Sequence, residues 1–302
     1  MKVNYKDLIK DAQNRNYAIG YFEAWNIESL FSVIKAAENQ NSPVMIGFCG
    51  EYLENPKRKY EIDLNLYSEI AQKLALNSSV PVITLLNESN TVEYTLKGIE
   101  AGFDSVMYVD ENLDLDEMIL RQQKIVEVAH KKDILVEGEV GNLGLVDASS
   151  GGFQKGNKTR PEDAVYFANK TKVDLLAISF GNVHLLERSK AELDFHLLKT
   201  INEQVSIPLV LHGGTGVADE DFRRTIENGI VKINIGAGLK RIVIENTKKY
   251  FEKYNVEEMN PNDVLGKGIP QDLDYFSHEQ LIVKIMKYMD LFNSTGKAEL
   301  FK

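Results

Sequence analysis

The chain has a single cysteine, Cys49, so no internal disulfide can form and the fold must rest on a packed core. That sparing use suits a reducing compartment, and the protein is expected in the cytoplasm. No apolar run approaches the length that spans a bilayer, and the opening Met1-Lys2-Val3-Asn4-Tyr5-Lys6 carries no apolar signal region. A basic excess is missing too. The net charge is −10, from 35 Lys and Arg against 45 Asp and Glu, which argues against a nucleic-acid partner and its need for basic faces. The one compact basic cluster, Lys57-Arg58-Lys59, reads as a solvated turn. An acidic balance leaves a small anionic substrate open, because a few local donors and a cation can hold one against the global field.

What is present is a regular alternation. Apolar residues at 43 % and charged residues at 26 % are ordinary globular values with ample material for a core. Eight short β-rich runs are expected as strands: Ala18–Phe22, Pro43–Phe48, Pro81–Leu86, Ser105–Val109, Ile134–Glu139, Asp174–Phe180, Pro208–His212 and Val231–Ile235. Most are continuous apolar runs, as strands covered on both faces are. Helical stretches lie between them. Ile27–Asn39 carries apolar residues near helical period, Pro161–Asn169 opens on Pro and acidic residues, and Asp219–Asn228 stops at Gly229. Strand and helix in strict alternation mean a parallel sheet, and eight units favour closure. The expected fold class is α/β: one (β/α)₈ TIM barrel over residues 1–302, with extra C-terminal helices from about Asn262 to Phe292 packed outside. The Gly- and Ser-rich stretch Gly141–Arg160 is long for a connection and follows the fifth expected strand, so it reads as a lid.

Active sites of such barrels lie at the C-terminal strand ends. Asn87 and Glu88 follow the third expected strand, Glu137 and Glu139 end the fifth, His184 follows the sixth, His212 ends the seventh and Asn234 belongs to the eighth. Imidazole and carboxylate converging at one rim are what a Zn²⁺-type cation needs; two unrelated rim histidines are the plain alternative. His130, His196 and His278 read as surface or structural residues. Directly after the seventh strand comes His212-Gly213-Gly214-Thr215-Gly216, with a helix expected to start near Ala218, and Gly236-Ala237-Gly238 follows the eighth. Two small-residue turns on neighbouring strands point to phosphate binding through backbone N–H groups, although tight turn geometry alone would also use glycine.

These residues resemble the class II, metal-dependent fructose-bisphosphate aldolases and their tagatose-bisphosphate relatives. The resemblance runs from Tyr17-Ala-Ile-Gly-Tyr-Phe and Asn26-Ile-Glu-Ser-Leu through Val136-Glu-Gly-Glu-Val-Gly and Phe180-Gly-Asn-Val-His184. It is strongest at Pro208-Leu-Val-Leu-His-Gly-Gly-Thr-Gly and Lys232-Ile-Asn. It implies a divalent metal, usually Zn²⁺, that polarises a ketose carbonyl and stabilises an enediolate. By the same resemblance His184 and His212 are metal ligands and Glu139 stands near the metal. Gly181, Gly214 and Thr215, with Arg188 in place of a lysine, hold phosphate; Gly236 is a phosphate candidate from its turn alone, since Asn234-Ile235-Gly236-Ala237 lacks the side-chain donors that the family has there. Asn234 contacts the enediolate, and Asp147 lies at or beside a mobile proton-shuttling acid. A homo-oligomer, most simply a dimer, acting on a small phosphorylated sugar is also implied.

Departures from the pattern set the open questions. Where the family has an Asp-His pair after the third strand, this chain has Asn87-Glu88. Asn87 can hydrogen-bond but cannot transfer a proton, while Glu88 can serve as a metal ligand or as the proton carrier. Two histidines and a carboxylate suit Zn²⁺ and are also compatible with Mn²⁺, Fe²⁺ or Co²⁺. Cys49 stands where a serine is frequent, and reads as a small buried hydrophobe. The expected activity is cleavage or formation of a C–C bond in a phosphorylated ketose. The alternatives are a non-catalytic sugar-phosphate-binding protein and Schiff-base chemistry at Lys232, the one lysine on an expected strand.

Overall fold

A computed structural model describes residues 1, 3–142, 144–146, 153–154, 156–184 and 190–301, the side chains of 145, 146, 153, 154 and 184 excepted. Eight parallel strands close into a barrel: β1 (Ile19–Ala24), β2 (Val44–Cys49), β3 (Val82–Ser89), β4 (Ser105–Tyr108), β5 (Leu135–Val140), β8 (Leu175–Ile178), β10 (Leu209–Leu211) and β11 (Ile230–Ile235). β1 closes the ring by pairing with both β2 and β11. All eight expected strands are present, with ends shifted by a few residues, and the architecture is the α/β TIM barrel.

Two apolar layers follow from the period-two alternation of strand side chains. Outward residues such as Phe22, Ile46, Leu86, Leu176 and Ile233 pack under the helices. Inward residues at the strand starts, among them Ile19, Met45, Ile83 and Leu135, fill the bottom of the barrel. The helix Tyr5–Asn14, absent from the sequence expectations, plugs that end. Asn4 caps it by accepting from the N–H groups of Lys6 and Asp7, and Leu8, Ile9 and Ala12 are buried against the barrel floor. Within the expected C-terminal helical stretch lie a short helix Pro261–Val264 and a long one, Leu273–Leu291, which Asp272 caps by accepting from the Asp274 N–H. The long helix packs on the helices Ile27–Gln40 and Ala237–Lys253, and Phe292 stacks on Phe22 at 6.2 Å. Among the described residues no helix is long and apolar enough to cross a membrane.

Within the stretch expected as a lid, the described residues include two short strands. β6 (Gly144–Val146) pairs antiparallel with β7 (Phe153–Gln154) and parallel with β9 (Val183–His184), which ties the segment to the chain after β8. The helix expected near Ala218 begins at Asp221. The Gly214–Gly216 segment winds instead as a 3₁₀ turn, with the N–H of Gly216 donating to the carbonyl of Gly213.

Close approach of β2 to β3 requires Gly47. A Cβ there would stand 1.7 Å from the Leu85 carbonyl oxygen, which is backbone and cannot swing away. Gly47→Ala is expected to lower stability by about 3 kcal/mol through forced strand separation. An unchanged denaturation midpoint would contradict this packing.

Candidate active site

The barrel's C-terminal mouth gathers alternate residues from five strands. β5 points Glu137 and Glu139 inward, β11 points Lys232 and Asn234, and Tyr21 and Glu23 come from β1. His212 follows β10 directly and is 1 % exposed. Its Nε2 lies 2.8 Å from Glu137 Oε1, and its Nδ1 lies 3.1 Å from Glu88 Oε1 and 3.4 Å from Glu139 Oε2. Lys232, also 1 % exposed, bonds Glu137 at 2.8 Å and donates to Asn234 Oδ1 at 2.7 Å.

Glu88 reaches this cluster through an irregularity in β3. The pairing of β3 with β4 slips between Leu86 and Ser89, and Glu88 takes φ +49°, the left-handed region that non-glycine residues seldom occupy. Strain of that kind persists where the surroundings over-determine it, typically at functional sites. Cys49 is buried, as expected, but its thiol also donates to Glu88 Oε2 at 3.7 Å. Asn87 accepts from Asn234 Nδ2 at 3.5 Å.

The electrostatics are those of a dense buried cluster. Burial would lower the His212 pKa, but the hydrogen bonds that its ring N–H groups give to Glu137 and Glu88, with the charge of Glu139, outweigh it and lift the value to about 9. Burial raises Glu139 to about 7, with His212 opposing and Glu88 reinforcing. Burial also acts to raise Glu137, yet Lys232 and His212 hold it below the usual carboxylate range.

Of the expected site residues, Asn87, Glu88, Glu139, His212 and Asn234 are brought together. Thr215 and Gly236 line the adjoining cavity of about 620 Å³, part of it open to solvent. Gly214 packs against β11, and Gly181, at φ +112°, lets the chain pass the Glu192 carbonyl, so both glycines have a packing reason to be there. The backbone of His184 lies in β9, but its side chain, like Asp147 and Arg188, lies outside the described residues. His130 is structural, pairing with Asp174 at 3.0 Å, and the buried His278 bonds the Asp274 carbonyl within its own helix.

Four residues at the mouth escaped the sequence expectations in these roles: Glu137 and Lys232 beneath His212, and Glu23 and Lys240 in the cavity wall. The signal that finds three of them is spacing by two. Glu137 precedes Glu139, Lys232 precedes Asn234, and Glu23 follows Tyr21, each pair sharing the inward face of one strand.

Comparison with known proteins shows the family. The family described as fructose-bisphosphate aldolase class-II matches residues 3–297. The Escherichia coli (strain K12) protein YdjI is 31 % identical, with 96 % of each chain covered. The sulfofructosephosphate aldolase of Alkalicoccus urumqiensis is 28 % identical, with 99 % of each chain covered. The crystal structure of the YdjI aldolase from Escherichia coli K12 superposes with a TM-score of 0.79 at 29 % identity, covering 99 % of this chain and all of that one. With this match along nearly its whole length, the chain belongs to the class II fructose-bisphosphate aldolase family.

Proposed function

We propose that the chain is a metal-assisted lyase that cleaves or forms the C3–C4 bond of a phosphorylated ketose through a dihydroxyacetone-phosphate-type enediolate. The observation that carries this is the convergence of Glu88 and Glu139 on His212 Nδ1, beside the Gly-Gly-Thr-Gly turn. The donors fit a divalent cation in kind and in charge. Glu88, Glu137 and Glu139 against Lys232 leave two negative charges when His212 is neutral. His212 would then donate Nε2–H to Glu137 and turn the Nδ1 lone pair to the cation, an arrangement common among metal-binding histidines. Among the described residues no group of three or more His, Cys, Asp or Glu is spread as a ready metal cage; Glu88 and Glu139 close directly on the imidazole. His184, with Glu139 and His212, is the proposed holder of Zn²⁺, or of Mn²⁺, Fe²⁺ or Co²⁺.

When bound, the metal supplies Lewis-acid polarisation of the ketose carbonyl. Glu88, which lines the cavity, takes the C4 hydroxyl proton as the C3–C4 bond breaks and its electron pair passes to C3. Asn87 beside it orients by hydrogen bonding but carries no proton. Asn234, held by Lys232, presents its amide to the enediolate oxygens. Thr215, with Gly181, Gly214, Gly236 and Arg188, is the proposed phosphate holder, and Asp147 the proposed acid that delivers a proton to C3, while Glu88 releases the C4 hydroxyl proton to solvent.

Protein loaded with Zn²⁺, Mn²⁺ or Co²⁺ is expected to cleave at least one of a panel of ketose phosphates and to exchange deuterium into dihydroxyacetone phosphate, with chelation suppressing both. No cleavage across the panel with any of these metals sinks the proposal. Binding of dihydroxyacetone phosphate without exchange would instead favour a sugar-phosphate-binding protein, the reading that Asn87 in place of an acid motivates.

A further inference from the structure

We propose that the Tyr21 hydroxyl is a catalytic donor that hydrogen-bonds the C4 oxygen of the substrate and stabilises the charge on that oxygen while the C3–C4 bond forms or breaks. This rests on the proposed lyase reading and adds a group to its chemistry.

Tyr21 stands on β1 in register with Asn234 of β11, and it lines the cavity together with Asn87, Glu88 and Asn234. Its hydroxyl is buried and has no hydrogen-bond partner among the described residues. Leaving such a group unmatched inside a protein is costly, so its presence calls for a reason. The ring has one in packing, since the Lys232 Nζ stands 5.1 Å from its centroid. That contact needs only the aromatic face, and phenylalanine would supply it without stranding a polar atom. The neighbouring acceptors have donors of their own. Glu88 takes the Cys49 thiol and His212, Asn87 takes Asn234, and Glu23 takes Lys240. The hydroxyl therefore awaits an acceptor that arrives in the cavity. Burial, and after it the nearby Glu23, Cys49 and Glu88, push the phenol well above its usual range, so it meets that acceptor as a neutral donor.

The C4 oxygen is the acceptor that fits the neighbours. Asn234, in register with Tyr21, is the proposed contact of the enediolate, and Glu88 is the proposed carrier of the C4 hydroxyl proton. In the addition direction the enediolate electron pair forms the C3–C4 bond, the π pair of the aldehyde carbonyl moves onto its oxygen, and Glu88 delivers a proton there. Cleavage runs these transfers in reverse. Tyr21 keeps its own proton throughout. Its hydrogen bond is strongest when the oxygen carries charge, which is how a preorganised donor favours a transition state over bound substrate.

Tyr21→Phe tests this, because two reactions of the same site involve different oxygens. Deuterium exchange into dihydroxyacetone phosphate needs no C4 oxygen. Aldol addition of dihydroxyacetone phosphate to glycolaldehyde, glyceraldehyde, glyceraldehyde 3-phosphate or erythrose 4-phosphate does. In protein loaded with Zn²⁺, Mn²⁺ or Co²⁺, the variant is expected to lose about a hundredfold in the rate of addition, the scale of removing one oxyanion donor, while exchange stays within about threefold of wild type. Its melting temperature without substrate is expected to equal or exceed that of wild type, since the free protein loses no hydrogen bond. Unchanged addition, or addition and exchange falling together, overturns the role at C4. So does a variant that melts well below wild type or fails to fold, because the hydroxyl then has a partner in the free protein. Each of these results leaves the lyase reading standing. Wild-type protein that adds dihydroxyacetone phosphate to none of these aldehydes and cleaves no ketose phosphate defeats the lyase reading itself, and the role of Tyr21 with it.

Discussion

Glu88→Gln is expected to reduce retro-aldol turnover about a thousandfold, the scale of losing a positioned general base, while bound metal stays at the wild-type ratio. The argument begins with the backbone. A bulge in β3 and a left-handed φ at position 88 turn this side chain into the mouth, where the Cys49 thiol and His212 fix its two oxygens. Gln keeps the shape and one oxygen acceptor but has no carboxylate to take a proton. Glu139 is more deeply buried than Glu88 and does not line the cavity, so it suits retention of a cation, whereas Glu88 faces the space that substrate would fill. Turnover and metal content measured on one preparation separate the roles. Loss of metal together with activity would make Glu88 a ligand. Turnover within about tenfold of wild type would remove it from the chemistry.

Much of this site could be read from residue order because a parallel barrel sends its strand ends to one rim. Asn87, Glu88, Glu139, His212 and Asn234 were legible as rim residues, and their convergence follows from closure of the ring. What escaped was the layer beneath. Glu137 is legible at the rim beside Glu139, and Lys232 as the one lysine on an expected strand, but not as the pair that holds His212 from below. Their meaning appears only when the ring brings β5 and β11 to either side of His212. Glu23 was hidden for the same reason, and Lys240 because its helix had first to be placed against β1. The N-terminal helix went unread because its apolar content is three buried positions, Leu8, Ile9 and Ala12, in an otherwise polar segment. The short strands of the lid depend on pairing across about forty residues of sequence, from β6 to β9, which local propensity does not encode.

Lys232→Met is expected to cost about 3–5 kcal/mol of folding stability, because it leaves the Glu137 carboxylate in the barrel interior without its ammonium. Lys232 and Glu137 are both essentially inaccessible to water, so solvent cannot take over the missing interaction. For a domain of this size the loss corresponds to a melting temperature lower by about 10 °C. Methionine fills most of the lysine volume, which confines the effect to charge and hydrogen bonding. The double variant Lys232→Met with Glu137→Gln separates the causes. Glutamine removes the uncompensated charge while keeping an amide oxygen toward His212, so the pair of changes should cost less than Lys232→Met alone. Lys232 also bonds Asn234 Oδ1, and the amide it orients is not restored in the double variant. Stability should therefore recover in the double variant while turnover does not. Single-variant stability within about 1 kcal/mol of wild type would mean that Glu137 is neutral in the folded protein and that His212 rests on a hydrogen bond rather than on a buried charge.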